Sequence, residues 1–466
     1  AYDAMVRTLT NVGILDDSLA WAGGTSQLVI VGDLLDRGPR SRDAMDLLMR
    51  LEGEAQDAGG YVHVLIGNHE SMNMIGDLRY VSREEYAAFA PDETEDQRNR
   101  WFRGWLRRQP MPRDAVELRK QFDTTFPAGY FALREAFGPD GKYGKWLLEK
   151  PIVAVINGTA FVHGGLSPVV ADYGLDGINT RLQGELAAFV TAVYALMDAE
   201  ILLPTDASYD FVEILDRDMP GLDDPQEILG AIETVRRLAD SDAISTVGPL
   251  WYRSNVACSG IIEEHRLDAA LAAKGADRVV VGHTPTPNRR VLQRFDGRLI
   301  EIDTGMLNFY YRGSGNALVI SDGGGVQVHN QAGGTPYTPL VHHRSVGQRP
   351  HDMPPEELAT LLRNGEIVAR EKDDVTDRDV VEISDGDHTV TALFERRSSR
   401  GFYPDLAAYR LDRLLDLDMV PVTVRREVDG RDGTVQFFPP KTMDEEQRAL
   451  NNRGYSAMCP LGEQLM

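Results

Sequence analysis

The chain has 466 residues, of which 49 are Lys or Arg and 72 are Asp or Glu, so its formal net charge is −23. This balance argues against a nucleic-acid or anionic-membrane binder, because such proteins usually carry a basic surface. With 42% hydrophobic and 26% charged residues, the composition is that of a folded globular protein of about two to four domains, and not of a disordered one.

The cysteines and the longest uncharged stretch exclude two further classes. The two cysteines, Cys258 and Cys459, predict neither a disulfide framework nor a zinc framework, and Cys258 is interpreted as a small interior residue. The uncharged stretch 151–171 is interrupted by Asn157, His163, Pro168 and three glycines. It is therefore not expected to span a membrane.

Seven short runs rich in Val and Ile recur through the first 330 residues. They are 28–31, 62–66, 152–156, 160–162, 278–281, 299–302 and 317–320. Such runs are typical of strands buried on both faces, and Asn157-Gly158 between two of them indicates a hairpin turn. Helical patterns at 181–199 and 225–239 lie between the runs. This alternation predicts a layered α/β fold.

Residues 77–150 interrupt the alternation with a charged, aromatic and mostly helix-compatible stretch. We expect a helical insertion over the edge of the sheet. Its Arg- and Trp-rich part at 98–108 is interpreted as a segment that packs over the core rather than as one that binds a phosphorylated substrate. The segment 331–355 is rich in Gly, Pro and His, which predicts a linker, and its His342, His343 and His351 are interpreted as solvated.

Polar side chains follow four of the apolar runs at the point where each run ends. The four segments are Gly32-Asp33-Leu34-Leu35-Asp36-Arg37-Gly38, Gly67-Asn68-His69-Glu70, His163-Gly164-Gly165 and Gly282-His283-Thr284. Because sites in open α/β sheets form beyond the carboxyl ends of the strands, we expect these segments to converge. Asp, Asn and His are ligands for hard or borderline metal ions, and glycine lets the backbone approach a ligand closely.

Together these segments resemble the calcineurin-like metallophosphoesterases, and within them the phosphoprotein phosphatase branch. The matching text is Gly32-Asp33-x-x-Asp36-Arg37-Gly38, Gly67-Asn68-His69-Glu70, His163-Gly164-Gly165-Leu166-Ser167-Pro168 and Gly282-His283-Thr284-Pro285. The narrower resemblance to bacterial Shewanella-like phosphatases rests on Met72-Asn73-Met74, Gly76-Asp77-Leu78-Arg79-Tyr80, Phe137-Gly138-Pro139 and Gly141-Lys142-Tyr143-Gly144. The resemblance covers residues 1–330 and implies a sandwich of two β-sheets flanked by helices.

The resemblance also implies a role for each of eight residues. Asp33 matches the carboxylate that bridges two divalent ions, for which manganese, iron and zinc all fit. Asn68, His163 and His283 match the remaining ligands of the second ion.

The other four residues match groups that handle the substrate. His69 matches the donor of a proton to the leaving oxygen, with Asp36 as its orienting partner. Arg37 and Arg253 match arginines that bind the substrate phosphate.

One motif of the family is absent from the sequence. The motif Gly-Asp-x-His-Gly, which supplies two ligands of the first ion, precedes the bridging aspartate in the family, and residues 1–5 resemble the helix that follows it. We therefore expect a chain cut at its N-terminus. The expected consequence is weak or absent hydrolysis by this polypeptide alone.

The function implied by the resemblance is hydrolysis of phosphate monoesters by a metal-bridging hydroxide. The expected substrate is a phosphoprotein, with tyrosine and serine/threonine both open, or a small phosphoester. One alternative is a dinucleoside polyphosphate hydrolase, since 249–253 and 282–286 also suit that neighbour. An alternative of another class is an inactive phosphate-binding module. The compartment, cytoplasmic or periplasmic, and the oligomeric state stay open.

The tail from 356 to 466 is predicted to be a small α+β unit. It contains a helical pattern at 405–415 and strand patterns at 380–383 and 389–394 around a turn at 384–387. This weakly resembles the small lobe of atypical, secretory-type or lipid-type kinase-like proteins. Glu395-Arg396 stand where such a lobe would have its lysine, so a structural or partner-binding role is expected.

Overall fold

The computed structural model describes residues 1–109, 114–217, 225–258, 260–342, 353–372, 378–398, 401–414 and 420–438. It divides into two compact units. The first comprises Ala1–Val256 and Arg266–Val341, and the second comprises Ala257–His265 and the described residues from His342 onward. His343 and His351 of the predicted linker lie outside the described residues, and the boundaries at 330 and 356 stay predictions.

The helices of the described residues are named in chain order. They are α1 (Tyr2–Asn11), α2 (Ser41–Asp57), α3 (Asn68–Ile75), α4 (Arg83–Phe89), α5 (Glu95–Arg107), α6 (Ala115–Thr125), α7 (Tyr130–Ala136), α8 (Lys142–Leu148), α9 (Pro168–Ala171), α10 (Leu175–Asp198), α11 (Phe211–Arg217), α12 (Gln226–Leu238), α13 (Ser254–Ala257), α14 (Gly260–Lys274), α15 (Asn308–Tyr311), α16 (Pro355–Asn364) and α17 (Pro404–Leu414).

The strands of the described residues are named in the same way. They are β1 (Gln27–Ile30), β2 (Tyr61–Val64), β3 (Val153–Ile156), β4 (Thr159–Val162), β5 (Arg278–Val281), β6 (Leu292–Arg294), β7 (Leu299–Glu301), β8 (Asn316–Ile320), β9 (Val326–Asn330), β10 (Leu340–Val341), β11 (Glu366–Lys372), β12 (Arg378–Ser384), β13 (Thr389–Arg396), β14 (Thr423–Val428) and β15 (Arg431–Phe437).

All seven predicted apolar runs form strands, and all seven belong to the first unit. A parallel pair, β1 and β2, lies beside a six-stranded sheet of order β10-β6-β7-β5-β4-β3. Strands β8 and β9 form an antiparallel hairpin. The predicted turn between β3 and β4 is present, with φ of 48° at Asn157 and 74° at Gly158. Two consecutive positive φ values fit the right-handed twist of the flanking strands.

The alternation along β5 explains how the layers are arranged. Val279 and Val281 belong to the large core cluster that includes the helices, whereas Val280 belongs to a second cluster with Ile300 of β7 and Val328 of β9. Successive residues of a strand point to opposite faces. One face of the six-stranded sheet is therefore covered by helices and the other by the β8–β9 hairpin, which confirms the predicted α/β sandwich.

Part of the helical insertion packs its aromatic residues together. Trp101 and Phe122 pack with Phe126, Phe131 and Leu203 in a separate apolar cluster. Three arginines of α5 pair with acidic side chains: Arg98 lies 2.6 Å from Glu93 and 2.8 Å from Asp123, and Arg100 and Arg107 both pair with Glu200. Their charge is thus balanced locally, which favours the packing interpretation of 98–108.

The second unit contains a five-stranded antiparallel sheet of order β11-β12-β13-β15-β14. Leu358, Leu361 and Leu362 of α16 pack in one core cluster with sheet residues such as Val381 and Phe394. The predicted helix and strands of the tail are present as α17, β12 and β13.

The prediction about disulfides is wrong at Cys258. This residue is buried, which confirms its predicted interior position, but it is disulfide-bonded, whereas the sequence predicted no disulfide framework. Cys459, the other cysteine of the sequence, lies outside the described residues. Among the described residues, no helix is both long and apolar enough to cross a membrane.

A buried carboxylate lies at the start of α2. Glu85, on α4, accepts a hydrogen bond from the backbone N–H of Ser41 at 3.2 Å. Burial raises the pKa of Glu85 to about 7, although the hydrogen bonds from Ser41 and the backbone of Arg42 act in the opposite direction. In the folded chain this carboxyl therefore retains its proton at pH values where an unfolded chain has lost it.

We expect the folded state to lose stability as the pH rises, with Glu85 as one contributor. Its folded pKa of about 7 lies above the ordinary glutamate value of 4.5, so its favourable contribution to stability is full below pH 4.5 and is lost as the pH rises through 7. The loss is up to about 3 kcal/mol. The unfolding midpoint of Glu85→Gln should fall less between pH 5 and pH 8 than that of the wild type. The exposed neighbour variant Glu84→Gln is the control, and equal pH slopes for wild type and Glu85→Gln would contradict the assignment.

Candidate metal centre and phosphate site

Four of the predicted site residues lie just beyond the carboxyl ends of four strands. Asp33 follows β1, Asn68 follows β2, His163 follows β4 and His283 follows β5. Because β1 is parallel to β2 and β4 is parallel to β5, these ends open on one side of the unit. The predicted convergence of the four segments is confirmed.

The four side chains meet at the Nε2 atom of His163. This atom lies 3.0 Å from Oδ1 of Asn68, 3.1 Å from Nδ1 of His283 and 3.1 Å from Oδ1 of Asp33. Asn68, His163 and His283 are buried. Asp33, His163 and His283 form the one group of three acidic, His or Cys residues within the described ranges that could hold a metal ion.

The hydrogen bonds around the cluster turn lone pairs towards its centre. Nδ1 of His163 lies 2.7 Å from the carbonyl oxygen of Val31, so the ring proton of neutral His163 lies there and Nε2 carries a lone pair. The amide nitrogen of Asn68 is directed to the sulfur of Met72 at 3.7 Å, which leaves Oδ1 facing the cluster. A carbonyl that fixes the tautomer of a ligating histidine is a common feature of metal sites.

These donors fit a divalent cation. Nitrogen and oxygen ligands bind such ions at about 2.1 Å, which places neighbouring ligands of an octahedral ion roughly 3 Å apart. The observed separations around His163 are 3.0–3.1 Å. A cation between these atoms would be bound by the Asp33 carboxylate and by the lone pairs that Asn68 and His163 turn towards the centre.

The pKa shifts of the cluster indicate that a positive charge would stabilise it. Burial alone would raise the pKa of Asp33, but His163 lowers it well below the usual range of a carboxyl. Burial alone would lower the pKa of His163, but the Asp33 carboxylate raises it. Burial, with His163 and Arg253, lowers the pKa of His283 far below its ordinary value, so this ring stays a neutral donor.

Glu70 holds the loop that carries Asp33. Its buried carboxylate accepts hydrogen bonds from the backbone N–H groups of Asp33 and Leu34, each at 2.8 Å, and from that of Gly67 at 2.7 Å. Asp33 has a φ of 58°, a conformation that costs a non-glycine residue about 1–2 kcal/mol. A Cβ on Gly67 would lie only 2.5 Å from Oδ1 of Asp33. The loop therefore depends on both Glu70 and the missing side chain at Gly67.

His69 and Asp36 form a buried pair beside the cluster. Nδ1 of His69 lies 2.5 Å from Oδ2 of Asp36, and Asn73 donates to the other oxygen of Asp36 at 3.1 Å. The ring of Tyr80 meets His69 edge-on at 5.3 Å. Burial opposes the imidazolium, yet the hydrogen bond to Asp36 raises the pKa of His69. Nε2 of His69 lies 4.0 Å from Oδ2 of Asp33, so the pair borders the candidate metal centre.

Three tyrosines surround the guanidinium of Arg37. Its Cζ lies 4.6 Å from the ring centroid of Tyr80, 5.5 Å from that of Tyr310 and 5.7 Å from that of Tyr311. Nη1 donates a short hydrogen bond to the hydroxyl of Tyr311. The buried Nε atom has no hydrogen-bond partner among the described residues. The side chain is thus held in place with donor capacity left for a ligand.

Arg253 is linked to the cluster through Trp251. Its guanidinium carbon is 6.0 Å from the ring centroid of Trp251, which in turn meets His283 edge-on at 5.6 Å. Arg253 is half-buried, and burial lowers the pKa of its guanidinium. All eight predicted residues therefore lie in or beside one site, although the roles assigned to them stay predictions.

Sequence reasoning missed four residues that shape the site. Glu70 and Asn73 lie within the segments used for the resemblance, yet no role was assigned to either. Tyr80 also ends one of these segments, and Tyr311 lies in a part of the chain that carried no signal. The contact between Arg37 and Tyr311 joins positions 274 residues apart, which no local spacing indicates.

The family model for calcineurin-like phosphoesterases matches residues 13–287. This range includes every candidate ligand and more than half of the chain. The chain belongs to the calcineurin-like phosphoesterase family.

Among its relatives are Shewanella-like protein phosphatases. Shewanella-like protein phosphatase 2 of Arabidopsis thaliana is 34% identical over 194 residues, which are 39% of this chain and 48% of that protein. Shewanella-like protein phosphatase 1 of Plasmodium berghei (strain Anka) is 25% identical over 325 residues, 69% of this chain and 68% of that protein. The chain thus matches about half the length of the Arabidopsis relative.

The chain is also similar to a solved structure from a psychrophilic Shewanella species, a cold-active protein-tyrosine phosphatase. The TM-score is 0.47 with 24% sequence identity, over 72% of this chain and 76% of the other.

Removing the charge of Glu70 is expected to weaken metal binding. In Glu70→Gln, an amide NH2 group would face backbone N–H donors, so the Asp33 loop loses at least one of its three hydrogen bonds. Substitutions of this supporting kind typically cost about 10–100-fold in metal affinity. Titration calorimetry with Mn²⁺ measures the loss, and Glu117→Gln on the exposed face of α6 is the matched control. An unchanged metal affinity in Glu70→Gln would show that the Asp33 loop keeps its shape without the Glu70 carboxylate.

Proposed function

We propose that this chain hydrolyses phosphate monoesters with the help of divalent metal ions, and that phosphoproteins are its substrates. The observation that carries this proposal is the position of the His69–Asp36 pair beside the candidate metal centre. A protein that only binds phosphate needs no oriented proton donor, whereas a hydrolase must protonate the oxygen that leaves.

Asp33, Asn68, His163 and His283 would hold the metal. A bound divalent ion supplies Lewis-acid polarisation of the phosphoryl group and lowers the pKa of a bound water. Asp33 turns Oδ1 towards this cluster and Oδ2 towards His69, which suits the role of a carboxylate shared between two ions. The phosphate-release experiment compares manganese, iron and zinc as the bound ions.

Arg37 and Arg253 would bind the substrate phosphate. A guanidinium offers several N–H donors in one plane and keeps its charge at all accessible pH values, so it matches two phosphate oxygens at once. The tyrosines around Arg37 restrict its side chain before the substrate arrives. Less conformational entropy is then lost on binding.

His69 would protonate the leaving oxygen. Asp36 binds Nδ1 and thereby points Nε2 towards Asp33 and the space in front of the cluster. Because the hydrogen bond to Asp36 raises the pKa of His69, a larger fraction of the rings carries the proton near neutral pH. This is the arrangement that general acid catalysis requires.

The preference for phosphoproteins is supported by the names of two relatives, which are both Shewanella-like protein phosphatases. Phosphotyrosine is the first substrate to try, since the mouth of the site is lined by Tyr80, Tyr310 and Tyr311. A dinucleoside polyphosphate is the comparison substrate, because residues 249–253 and 282–286 also suit that chemistry.

One observation favours a second candidate, a phosphate-binding module without turnover. The described residues contain one group of three potential ligands, whereas hydrolysis through two ions needs ligands for both.

Phosphate release distinguishes the candidates. The chain is supplied in turn with Mn²⁺, Fe²⁺ and Zn²⁺ and offered phosphotyrosine peptide, phosphoserine peptide and diadenosine tetraphosphate. We expect slow hydrolysis of the monoesters that a chelator abolishes and His163→Asn eliminates, while the exposed-residue control His265→Asn retains it. Binding of phosphopeptide with no phosphate release in any metal would favour the binding module. Faster release from diadenosine tetraphosphate would favour the nucleotide hydrolase.

Replacing the proton donor is expected to affect poor leaving groups most. His69→Asn cannot protonate the leaving oxygen, so kcat for phenyl phosphate should fall by about 10²–10⁴-fold. The fall should be much smaller for para-nitrophenyl phosphate, whose leaving group needs less help. A set of substituted phenyl phosphates measures the dependence of kcat on the pKa of the leaving group. Equal losses for all of them would show that His69 is not the acid.

A further inference from the structure

An alternating series of tyrosines and arginines leads away from the candidate phosphate site. In spatial order its members are Tyr310, Arg37, Tyr80, Arg79 and Tyr209, which we name the aromatic–arginine strip. The guanidinium carbon of Arg37 lies 5.5 Å from the ring centroid of Tyr310 and 4.6 Å from that of Tyr80. The guanidinium carbon of Arg79 lies 5.7 Å from the ring centroid of Tyr80 and 5.8 Å from that of Tyr209.

The strip is assembled from separate segments of the first unit. Tyr310 lies on α15, Arg37 follows β1, Arg79 and Tyr80 lie between α3 and α4, and Tyr209 precedes α11. Both ends are open to solvent, with Tyr310 55% and Tyr209 69% exposed. No single element forces these residues together, and exposed tyrosines at both ends add little to the core.

Arg79 is fixed within the strip. Its Nε and Nη2 atoms donate to the two carboxylate oxygens of Asp77 at 2.7 and 2.6 Å. The plane of the guanidinium is therefore set before any ligand binds, and much of its charge is balanced by Asp77. Between Tyr80 and Tyr209, Arg79 therefore offers a planar surface for stacking rather than a free positive charge.

We propose that the aromatic–arginine strip binds the polypeptide segment next to the phosphorylated residue, with a preference for aromatic and apolar flanking side chains. This inference rests on the proposed function, because Arg37, the second member of the strip, is the candidate phosphate-binding residue. Each of the four steps along the strip exceeds the rise of about 3.3 Å per residue in an extended chain. A segment of several residues fits the strip, whereas a free phosphate or a small phosphoester at Arg37 does not reach Arg79 and Tyr209.

The residue types favour such a partner. Tyrosine and arginine are enriched where protein interfaces concentrate their binding free energy, and tyrosine loses little side-chain entropy on binding. Stacked arginines add cation–π attraction to aromatic groups of the ligand. We expect weaker binding of peptides with acidic flanking residues, because the chain has a net charge of −23 and because Asp77 already pairs with Arg79.

The test compares two phosphotyrosine peptides by fluorescence anisotropy. One peptide has Phe, Tyr and Leu as flanking residues, and the other has Gly and Ser. We expect the wild type to bind the aromatic-flanked peptide about 10-fold more tightly, and Tyr209→Ala to lose about 5- to 10-fold of that affinity. The Kd for inorganic phosphate, measured by competition, should not change. Tyr61→Ala, at the opposite end of the strands and 55% exposed, is the matched control.

The outcomes separate this inference from the proposed function. Equal affinities for the two peptides, or an unchanged affinity in Tyr209→Ala, overturn the strip. Retained phosphate binding shows that Tyr209→Ala is folded. Arg79→Ala is a second variant, for which we expect the same loss of affinity for the aromatic-flanked peptide. Selective peptide binding without hydrolysis supports the strip and removes the phosphatase proposal. Hydrolysis without a preference between the two peptides overturns the strip and supports the phosphatase proposal.

Discussion

The meeting of four lone pairs around Nε2 of His163 is the constraint on which the rest of the site depends. The carboxylate of Asp33, the amide oxygen of Asn68 and one ring nitrogen of His283 lie within 3.0–3.1 Å of that atom, and Asn68, His163 and His283 are buried. Such a group is stable only with a positive charge at its centre. In a metal-free chain a proton on His163 can serve, which is why the pKa of this buried ring is raised rather than lowered.

The backbone around the cluster is arranged to meet this constraint. Asp33, Asp36, Arg37 and His283 all have positive φ values, between 58° and 72°. Non-glycine residues in this region are costly and are found together mainly where the surroundings impose them. Here the surroundings are identifiable: Glu70 holds the N–H groups of the Asp33 loop, and the N–H of Arg37 donates to the carbonyl of Tyr80 at 2.8 Å. The site is therefore shaped as much by hydrogen bonds to the main chain as by the side chains that would touch a ligand.

The sequence predicted the parts of the fold and site that depend on local pattern. Seven strands of the first unit have a clear apolar signal, and a metal-capable residue directly after a strand is predicted to lie at the carboxyl end of that strand. Short or polar strands have no such signal: β10 has two residues, and β11 is mostly charged. The disulfide of Cys258 was missed for the same reason, since pairing cannot be read from two cysteines far apart in sequence. The environment of Arg37 is made by Tyr310 and Tyr311, which only the folded chain brings near.

Tyr80 links the two halves of the proposed chemistry. Its ring meets His69 at 5.3 Å and Arg37 at 4.6 Å, so one side chain packs against both the candidate proton donor and the candidate phosphate ligand. Its backbone carbonyl also fixes the strained Arg37. A displacement of Tyr80 would move the arginine and the histidine together. The same residue is the middle of the aromatic–arginine strip, so a peptide bound along the strip would press on the group that positions both. Peptide binding along the strip would therefore be coupled to the geometry of the phosphate site through the direct contacts of Tyr80.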